Sequence, residues 1–293
     1  MPTSPTSKIM TSQFIPDVSS DFSHLPRLCE LLCDARIAVL TGAGCSTASG
    51  IPDYRGPETG KKERNPILYT QFVRNPAARR RYWARSAVGW LRIRQAEPND
   101  AHFHLAELER RGRLTGLITQ NVDDLHNAAG SRHVVELHGS LSEVVCLECR
   151  HVVHRDDVQQ RIERANLGWT ARGEIEIAPD GDVELPDDIP DDFRVPDCTE
   201  CGGILKPNVV FFGENVATSV VERAWQVVDA ADALLVVGSS LTVYSGLRFV
   251  RGAASDGKPV GIINLGETRG DDRADVQVHA RVGEALDRLC RRL

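Results

Sequence analysis

The chain has 293 residues, of which 41% are apolar, and its formal net charge at pH 7 is −6. This length predicts one large domain with a smaller appendage, and the apolar fraction is sufficient for a sizeable core. The acidic balance argues against a general nucleic-acid binder, and the sequence contains no run of about 18 apolar residues that would predict a membrane-spanning helix.

Residues 1–22 predict a flexible N-terminal tail. They contain one lysine and no arginine, and they lack an apolar run of signal-peptide length, so they resemble neither a secretory nor a mitochondrial leader. We therefore expect a cytoplasmic protein rather than one of the mitochondrial matrix.

Six short apolar runs alternate with helix-like segments along the rest of the chain. This alternation predicts an α/β fold in which a Rossmann-like parallel sheet carries helices on both faces. We expect this domain over 23–139 and 207–293, with an Arg-rich helical insertion at about 57–100, and a small inserted module over 140–206. The predicted strands are 37–41, 114–119, 134–137, 209–212, 233–237 and 260–265.

Polar residues collect where the predicted strands end. Ligands of parallel α/β sheets bind beyond the carboxyl ends of the strands, so we expect one crevice here. The strand-end residues are Gly42-Ala43-Gly44, Gln120-Asn121-Val122-Asp123, His138-Gly139, Gly238-Ser239-Ser240 and Asn264.

The first glycine loop departs from G-x-G-x-x-G, the fingerprint of dinucleotide-binding loops. Gly42 and Gly44 would let the backbone approach a diphosphate, and we expect the amides at the start of a following helix to favour that charge. The third glycine of the fingerprint would fall on Thr47, and the next one is Gly50. A tight turn with Ser46 as a helix cap is the alternative.

Four of the eight cysteines form two C-x₂-C pairs, Cys146 with Cys149 and Cys198 with Cys201. In a chain without a leader, thiols more often serve metals or catalysis than disulfides. Four thiolates would make a closed tetrahedral site, which predicts one structural Zn²⁺ rather than a catalytic one.

Taken in order, several motifs carry a family resemblance. They are residues 42–46 with 50–55, 119–123, 138–139, the paired cysteines, 206–214 and 238–241. This set resembles the sirtuin family of NAD-dependent protein lysine deacylases from about residue 30 to the end. Residues 52–55, the run 79–85, the long insertion between the cysteine pairs and 238–240 are similar to class II, the branch of mitochondrial sirtuin four.

The resemblance implies that NAD is a co-substrate and that nicotinamide, free lysine and O-acyl-ADP-ribose are the products. His138 would act as general base on a ribose hydroxyl, which suits its strand-end position and its titration near neutral pH. Asn121 and Asp123 would line the nicotinamide pocket, although an Asx-rich turn is the alternative for this segment. The other implied NAD contacts are Gly42, Ala43, Gly44, Ser46, Asp53, Tyr54, Arg55, Gln120, Gly238, Ser239, Ser240, Asn264, Leu265, Gly266 and Val282.

The resemblance also implies acyl-lysine proteins or peptides as substrates, with no specific nucleic acid and no membrane as partner. The backbone of Val210, Phe211, Phe212 and Gly213 would pair with the substrate as an added strand. A monomer is compatible with the sequence, which leaves the oligomeric state open.

Tyr82 and Arg85 are three residues apart and would share one helix face. The desuccinylase branch of the family has a Tyr-x-x-Arg pair in the corresponding helix, so we expect a preference for acidic or branched acyl groups.

Three other functions use some of the same residues. Protein ADP-ribosyl transfer would use the same NAD pocket with another acceptor. A non-catalytic NAD sensor would not need His138, and a zinc-ribbon interaction module would leave the glycine loop unexplained.

Overall fold

The computed structural model of the chain describes residues 19–54, 66–169, 178–183 and 189–293. Residues 1–18 of the predicted tail and the predicted NAD contact Arg55 lie outside these ranges. The last residues of the predicted tail are tied to the domain: the hydroxyl of Ser20 donates to Glu284 at 3.0 Å, and the amide of Asp21 donates to the carbonyl of His279 at 2.7 Å.

Among the described residues, the larger sheet has six parallel strands in the order β3-β2-β1-β7-β8-β9. Every residue of the two central strands, β1 and β7, is buried, as is expected when helices cover both faces. The predicted parallel α/β fold is therefore confirmed. The strands are β1 (Ile37–Thr41), β2 (Leu114–Thr119), β3 (Val134–Glu136), β7 (Ala233–Val237), β8 (Val260–Ile263) and β9 (Val276–Val278).

Helices cover both faces of this sheet. The apolar sides of α1, α4 and α9 pack against one face, and those of α7 and α8 pack against the other. The described helices are α1 (Leu25–Leu32), α2 (Tyr69–Arg74), α3 (Pro76–Ile93), α4 (Asp100–Arg110), α5 (Leu125–Ala128), α6 (Arg155–Ala165), α7 (Thr218–Asp229), α8 (Tyr244–Ser255) and α9 (Val282–Cys290). None of the helices in the described ranges is long and apolar enough to cross a membrane.

A second sheet has three antiparallel strands in the order β5-β4-β6. These strands are β4 (Gly139–Cys146), β5 (Val152–His154) and β6 (Leu205–Val209). The predicted strand over 209–212 is wrong in its bounds and in its placement in the parallel sheet: the observed strand ends at Val209 and pairs antiparallel with β4, and Phe212 makes an isolated bridge to Leu68. Pro207 is accepted in β6 because this strand is at the edge of its sheet.

The predicted helix near residues 75–94 is α3. The Asn75 side chain accepts hydrogen bonds from the amides of Ala77 and Ala78, and Pro76 occupies the first turn, so the helix has a regular N-terminal cap. Gly89 of α3 packs closely on the backbone of Gly181, since a Cβ at Gly89 would lie 1.9 Å from the Gly181 oxygen. This contact places residues 178–183 beside α3.

Candidate active site

A cavity of about 850 Å³ lies at the carboxyl ends of the parallel strands. Its size is in the range of ligand and cofactor pockets. Most of the residues predicted to bind NAD or substrate lie in its wall. Those brought together here are Gly42, Ala43, Gly44, Asp53, Tyr54, Tyr82, Gln120, Asn121, His138, Val210, Phe211, Phe212, Gly213, Gly238, Ser239, Ser240, Asn264, Leu265, Gly266 and Val282.

The two glycines of the first loop are required by packing. A Cβ at Gly42 would lie 2.8 Å from Cβ of Ser239, and one at Gly44 would lie 2.9 Å from the Gly238 oxygen. The Gly44 amide also donates to that oxygen at 2.8 Å. The loops after β1 and β7 therefore touch through their backbones.

The α-helix expected directly after this loop is absent from described residues 42–54. Two short 3₁₀ turns, Ala43–Cys45 and Thr47–Ser49, take its place. Gly50 ends the second turn with φ of +81°, a conformation that glycine adopts without strain. Gly50 therefore ends the second turn, and the chain continues along the cavity wall through Asp53 and Tyr54.

Ser46 links the two polar residues that follow β2. Its hydroxyl donates to the Asp123 carboxylate at 2.6 Å and accepts from the Asn121 side-chain amide at 3.0 Å. Burial raises the pKa of Asp123, opposed by its hydrogen bonds from Ser46 and from the Leu125 amide. Within the described chain the cavity wall includes Asn121 but neither Ser46 nor Asp123. The Ser46 hydroxyl therefore connects Asp123, outside the described wall, with the Asn121 side chain in it.

Two buried histidines that the sequence did not distinguish from the others contact the polar residues next to this network. His126 Nε2 lies 3.0 Å from the Thr41 hydroxyl, and His102 Nε2 lies 3.4 Å from that of Ser46. Burial lowers the pKa of His102 to about 4 and that of His126 to about 3, so both rings are neutral. No sequence signal separates them from surface histidines.

His138 follows β3 and lies in the cavity wall with both ring nitrogens engaged. Nδ1 is 2.9 Å from the Gln120 carbonyl oxygen, and Nε2 is 2.8 Å from the Ser245 hydroxyl. Burial lowers the pKa of His138; the bond to Gln120 opposes this shift, and the positive charge of Arg248 adds to it. The ring is therefore neutral at pH 7 and can act as a base.

The segment predicted to bind the substrate backbone begins beside His138, because the Val210 amide donates to the His138 carbonyl at 2.8 Å. The buried ammonium of Lys206 holds the next turn by pairing with Glu214 at 3.0 Å and donating to the Val209 carbonyl. Glu214 in turn accepts from the Phe211 amide at 2.9 Å. These contacts fix the backbone of the segment beside His138.

Tyr82 and Arg85 lie on one side of α3, but they have different surroundings. Tyr82 lines the cavity and packs on Phe211, with 5.0 Å between ring centroids. Arg85 is not part of the described wall: its guanidinium pairs with Asp182 at 2.9 Å and donates to the Val183 carbonyl. Burial raises the pKa of Asp182 to about 7 although Arg85 acts to lower it.

The four paired cysteines meet at one point. Their sulfurs all lie within 4.8 Å of one another, with 3.5 Å between Cys146 and Cys201 and 3.7 Å between Cys149 and Cys198. Sulfurs bound at about 2.3 Å to a tetrahedral zinc lie about 3.8 Å apart, so this donor set fits Zn²⁺. Arg150 and Gly202, which follow the second cysteine of each pair, both have positive φ and complete matching turns.

Several wall residues were not predicted. The most informative are on or before α8: Val243, Tyr244, Ser245 and Arg248. A signal was present, since Ser245 and Arg248 are three residues apart just after the strand-end motif 238–240 and so share one helix face. Asp180 and Asp182 come from the insertion between the cysteine pairs, and only tertiary structure brings them to the cavity.

The chain is similar to known proteins along most of its length. The Sir2 family model matches residues 42–245, more than half of the chain. An NAD-dependent protein deacetylase of Xanthomonas axonopodis pv. citri is 53% identical over 251 residues, covering 86% of this chain and 85% of that protein. NAD-dependent protein deacetylase 1 of Streptomyces coelicolor is 50% identical over 279 residues, covering 94% and 92%.

Solved structures agree with these relatives. A Sir2 complex with a p53 peptide and NAD⁺ superposes with a TM-score of 0.73 at 32% identity, covering 91% of this chain and 97% of that one. Sir2 bound to an acetylated peptide gives 0.73 at 31% identity, with the same coverage. The fold, the ordered motifs and these matches lead to one conclusion: the chain belongs to the Sir2 family, the sirtuins.

Proposed function

We propose that this protein is an NAD-dependent protein lysine deacylase. The observation that carries the proposal is the position of His138, a neutral base in the cavity wall whose own carbonyl binds the first amide of the substrate-binding segment. A base and a strand for peptide binding are therefore held next to each other. The deacetylase relatives at 50% identity or more support the same activity.

NAD, when bound, would supply the electrophilic ribose carbon and the hydroxyl that receives the acyl group. The glycine loops at 42–44 and 238–240 would receive its phosphates, and Asn264 with Val282 would contact the adenosine half. Asn121, oriented by Ser46, would hold the nicotinamide carboxamide. His138 would be the final acceptor of the proton that a ribose hydroxyl loses, because its neutral ring is a base in the cavity wall.

The substrate side of the proposal rests on the segment from Val210 to Gly213. Its ordered backbone would pair with a peptide strand, which gives affinity with little dependence on sequence. Exposed Phe212 and Tyr244 lie in the wall of the same cavity and provide apolar surface for the peptide.

We propose class II membership on the motifs at 52–55, 79–85 and 238–240. For the choice among acyl-lysine substrates, we propose that an acidic acyl chain can pair with the Arg85 guanidinium only if it displaces the Asp182 carboxylate. This proposal replaces the acidic or branched acyl preference expected from Tyr82 and Arg85: because Asp182 and Asp180 are part of the wall and Arg85 is not, the resting pocket would favour uncharged acyl groups.

Asp182→Asn tests this proposal. Releasing Arg85 should raise kcat/KM for glutaryl relative to acetyl peptides by about tenfold or more, the scale of one charge-assisted hydrogen bond. The double variant Asp182→Asn/Arg85→Met should lose the gain. A wild-type enzyme that already prefers glutaryl, or a double variant that keeps the gain, would contradict the role given to this ion pair.

The activity itself is tested by mass spectrometry of the products formed from NAD and matched acetyl, succinyl, glutaryl, hydroxymethylglutaryl and long-chain acyl-lysine peptides. O-acyl-ADP-ribose and free lysine are expected in equal amounts. ADP-ribose attached to the peptide would instead indicate a transferase, and no release of nicotinamide would indicate an NAD-binding protein without activity.

A further inference from the structure

Ser245 occupies the basic nitrogen of His138. It lies in the first turn of α8, is 8% exposed, and places its hydroxyl oxygen 2.8 Å from Nε2. At the other side of the ring, Nδ1 is 2.9 Å from the Gln120 carbonyl oxygen. A carbonyl can only accept, so Nδ1 carries the ring proton and Nε2 accepts the hydrogen of Ser245.

This arrangement has a direct consequence for proton transfer. A neutral imidazole has one lone pair, and here the Ser245 hydrogen already takes it. A ribose hydroxyl in the cavity therefore finds Nε2 occupied. Ser245 itself lines the cavity, and its oxygen keeps lone pairs that can accept a second hydrogen bond.

Both partners are held in place through Gln120. Its backbone carbonyl binds the ring, and its side-chain amide donates to Ser239 at 2.7 Å. That same side chain packs on Gly246, where a Cβ would lie 2.6 Å from its oxygen. Gly246 directly follows Ser245, so Gln120 sets the spacing between the hydroxyl and the imidazole.

We propose that Ser245 is a catalytic residue that relays the proton from the ribose hydroxyl to His138. The ribose O–H bond breaks and its proton joins the Ser245 oxygen, while the original Ser245 proton forms the N–H bond at Nε2. The ribose oxygen keeps the electron pair and becomes the nucleophile. Ser245 is neutral before and after the step, and the ring becomes an imidazolium held by the Gln120 carbonyl.

This relay rests on the proposed deacylase function, and its test separates two stages of that reaction. Exchange of labelled nicotinamide into NAD precedes the proton transfer, whereas formation of O-acyl-ADP-ribose follows it. Ser245→Ala should lower single-turnover product formation by about 10²-fold, within the range for loss of acid–base help, and leave exchange unchanged. Ser245→Thr, which keeps a hydroxyl, should recover most of the product formation.

Ser255→Ala, an exposed serine at the far end of α8, is the matched control and should behave as wild type. A proton inventory of wild-type single turnovers in mixed H₂O and D₂O should be curved, because two protons move together. This measurement needs no variant, so it remains decisive if Ser245→Ala does not fold.

Three results would overturn the relay: normal product formation by Ser245→Ala, parallel loss of exchange and product formation in a folded Ser245→Ala, or a linear proton inventory. A wild-type protein without NAD-dependent turnover on any peptide would instead refute the deacylase function.

Discussion

The six-stranded sheet and the three-stranded sheet are stabilised in different ways. Both central strands of the larger sheet are buried along their whole length. In the small sheet, β5 has two exposed residues of three, and the four cysteines meet at the end of β4 and in the loops after β4 and before β6. The first sheet is buried between two apolar clusters, whereas the second combines apolar burial with four cysteines that fit a metal ion.

The two regions nevertheless meet at the reactive centre. His138 ends the chain segment of the larger sheet, and β4 of the small sheet begins at the next residue, Gly139. Gly139 has φ of +76°, and a Cβ there would lie 1.9 Å from the Asn208 oxygen of β6. Glycine after the histidine thus allows the small sheet to start directly beside the base.

Removing the metal should have the largest effect, because it should destabilise the small sheet and leave the large sheet folded. Cys201→Ser should lose zinc and loosen the small sheet, because zinc binding contributes directly to folding, by about 10–16 kcal/mol in isolated zinc-finger peptides. Metal analysis and hydrogen exchange of β4 and β6 measure it, with exposed Cys33→Ser as control. Full zinc content and unchanged exchange in Cys201→Ser would show that the cluster is not a metal site.

The next largest effect is on catalysis in the cavity, without an effect on the stability of either sheet. His138→Ala should lower kcat/KM by about 10²–10⁴-fold through loss of the general base, with little change in Tm. Exposed His133→Ala, which affects a surface bond to Glu109, is the matched control. Near-normal deacylation by His138→Ala would remove this residue from the mechanism.

A third prediction concerns residues 210–214, which follow β6 and are held by the ion pair of Lys206 with Glu214. Lys206→Met leaves Glu214 without its ammonium partner and should lower the free energy of unfolding by about 3 kcal/mol, with a raised KM for peptide. Calorimetry and peptide kinetics measure the two effects. The double variant Lys206→Met/Glu214→Gln should lose less than the sum of the single changes, and simple additivity would mean that the pair is not coupled.

The smallest predicted effect is on pH dependence. Arg248 lowers the pKa of His138, so Arg248→Gln should raise that pKa. Since only neutral His138 is a base, the acid limb of the kcat/KM profile should move to higher pH and activity at low pH should fall. Arg251→Gln, one turn further along α8, is the control. An acid limb that does not move would show that Arg248 does not influence the base.

Much of the fold could be predicted because local burial leaves a local pattern. The fully buried strands β1 and β7 are continuous apolar runs, and the predicted bounds 37–41 and 233–237 match the observed strands. The predicted strand 209–212 failed because Val209 ends β6, Phe211 is buried by contacts with Phe72 and Tyr82 rather than by a sheet, and Phe212 is exposed. The short edge strand β9 has too few residues to show a pattern.

The sequence by itself determines the chemistry available at the site: the strand-end glycines, His138 and the four cysteines are recognisable from residue type and spacing. Only the tertiary structure decides which side chains become partners. It pairs Arg85 with Asp182, residues far apart in the chain, and it brings Ser245 to the base across 107 positions. The pattern of apolar residues along a segment predicts which of them are buried, but hydrogen bonds and ion pairs depend on which elements meet in space.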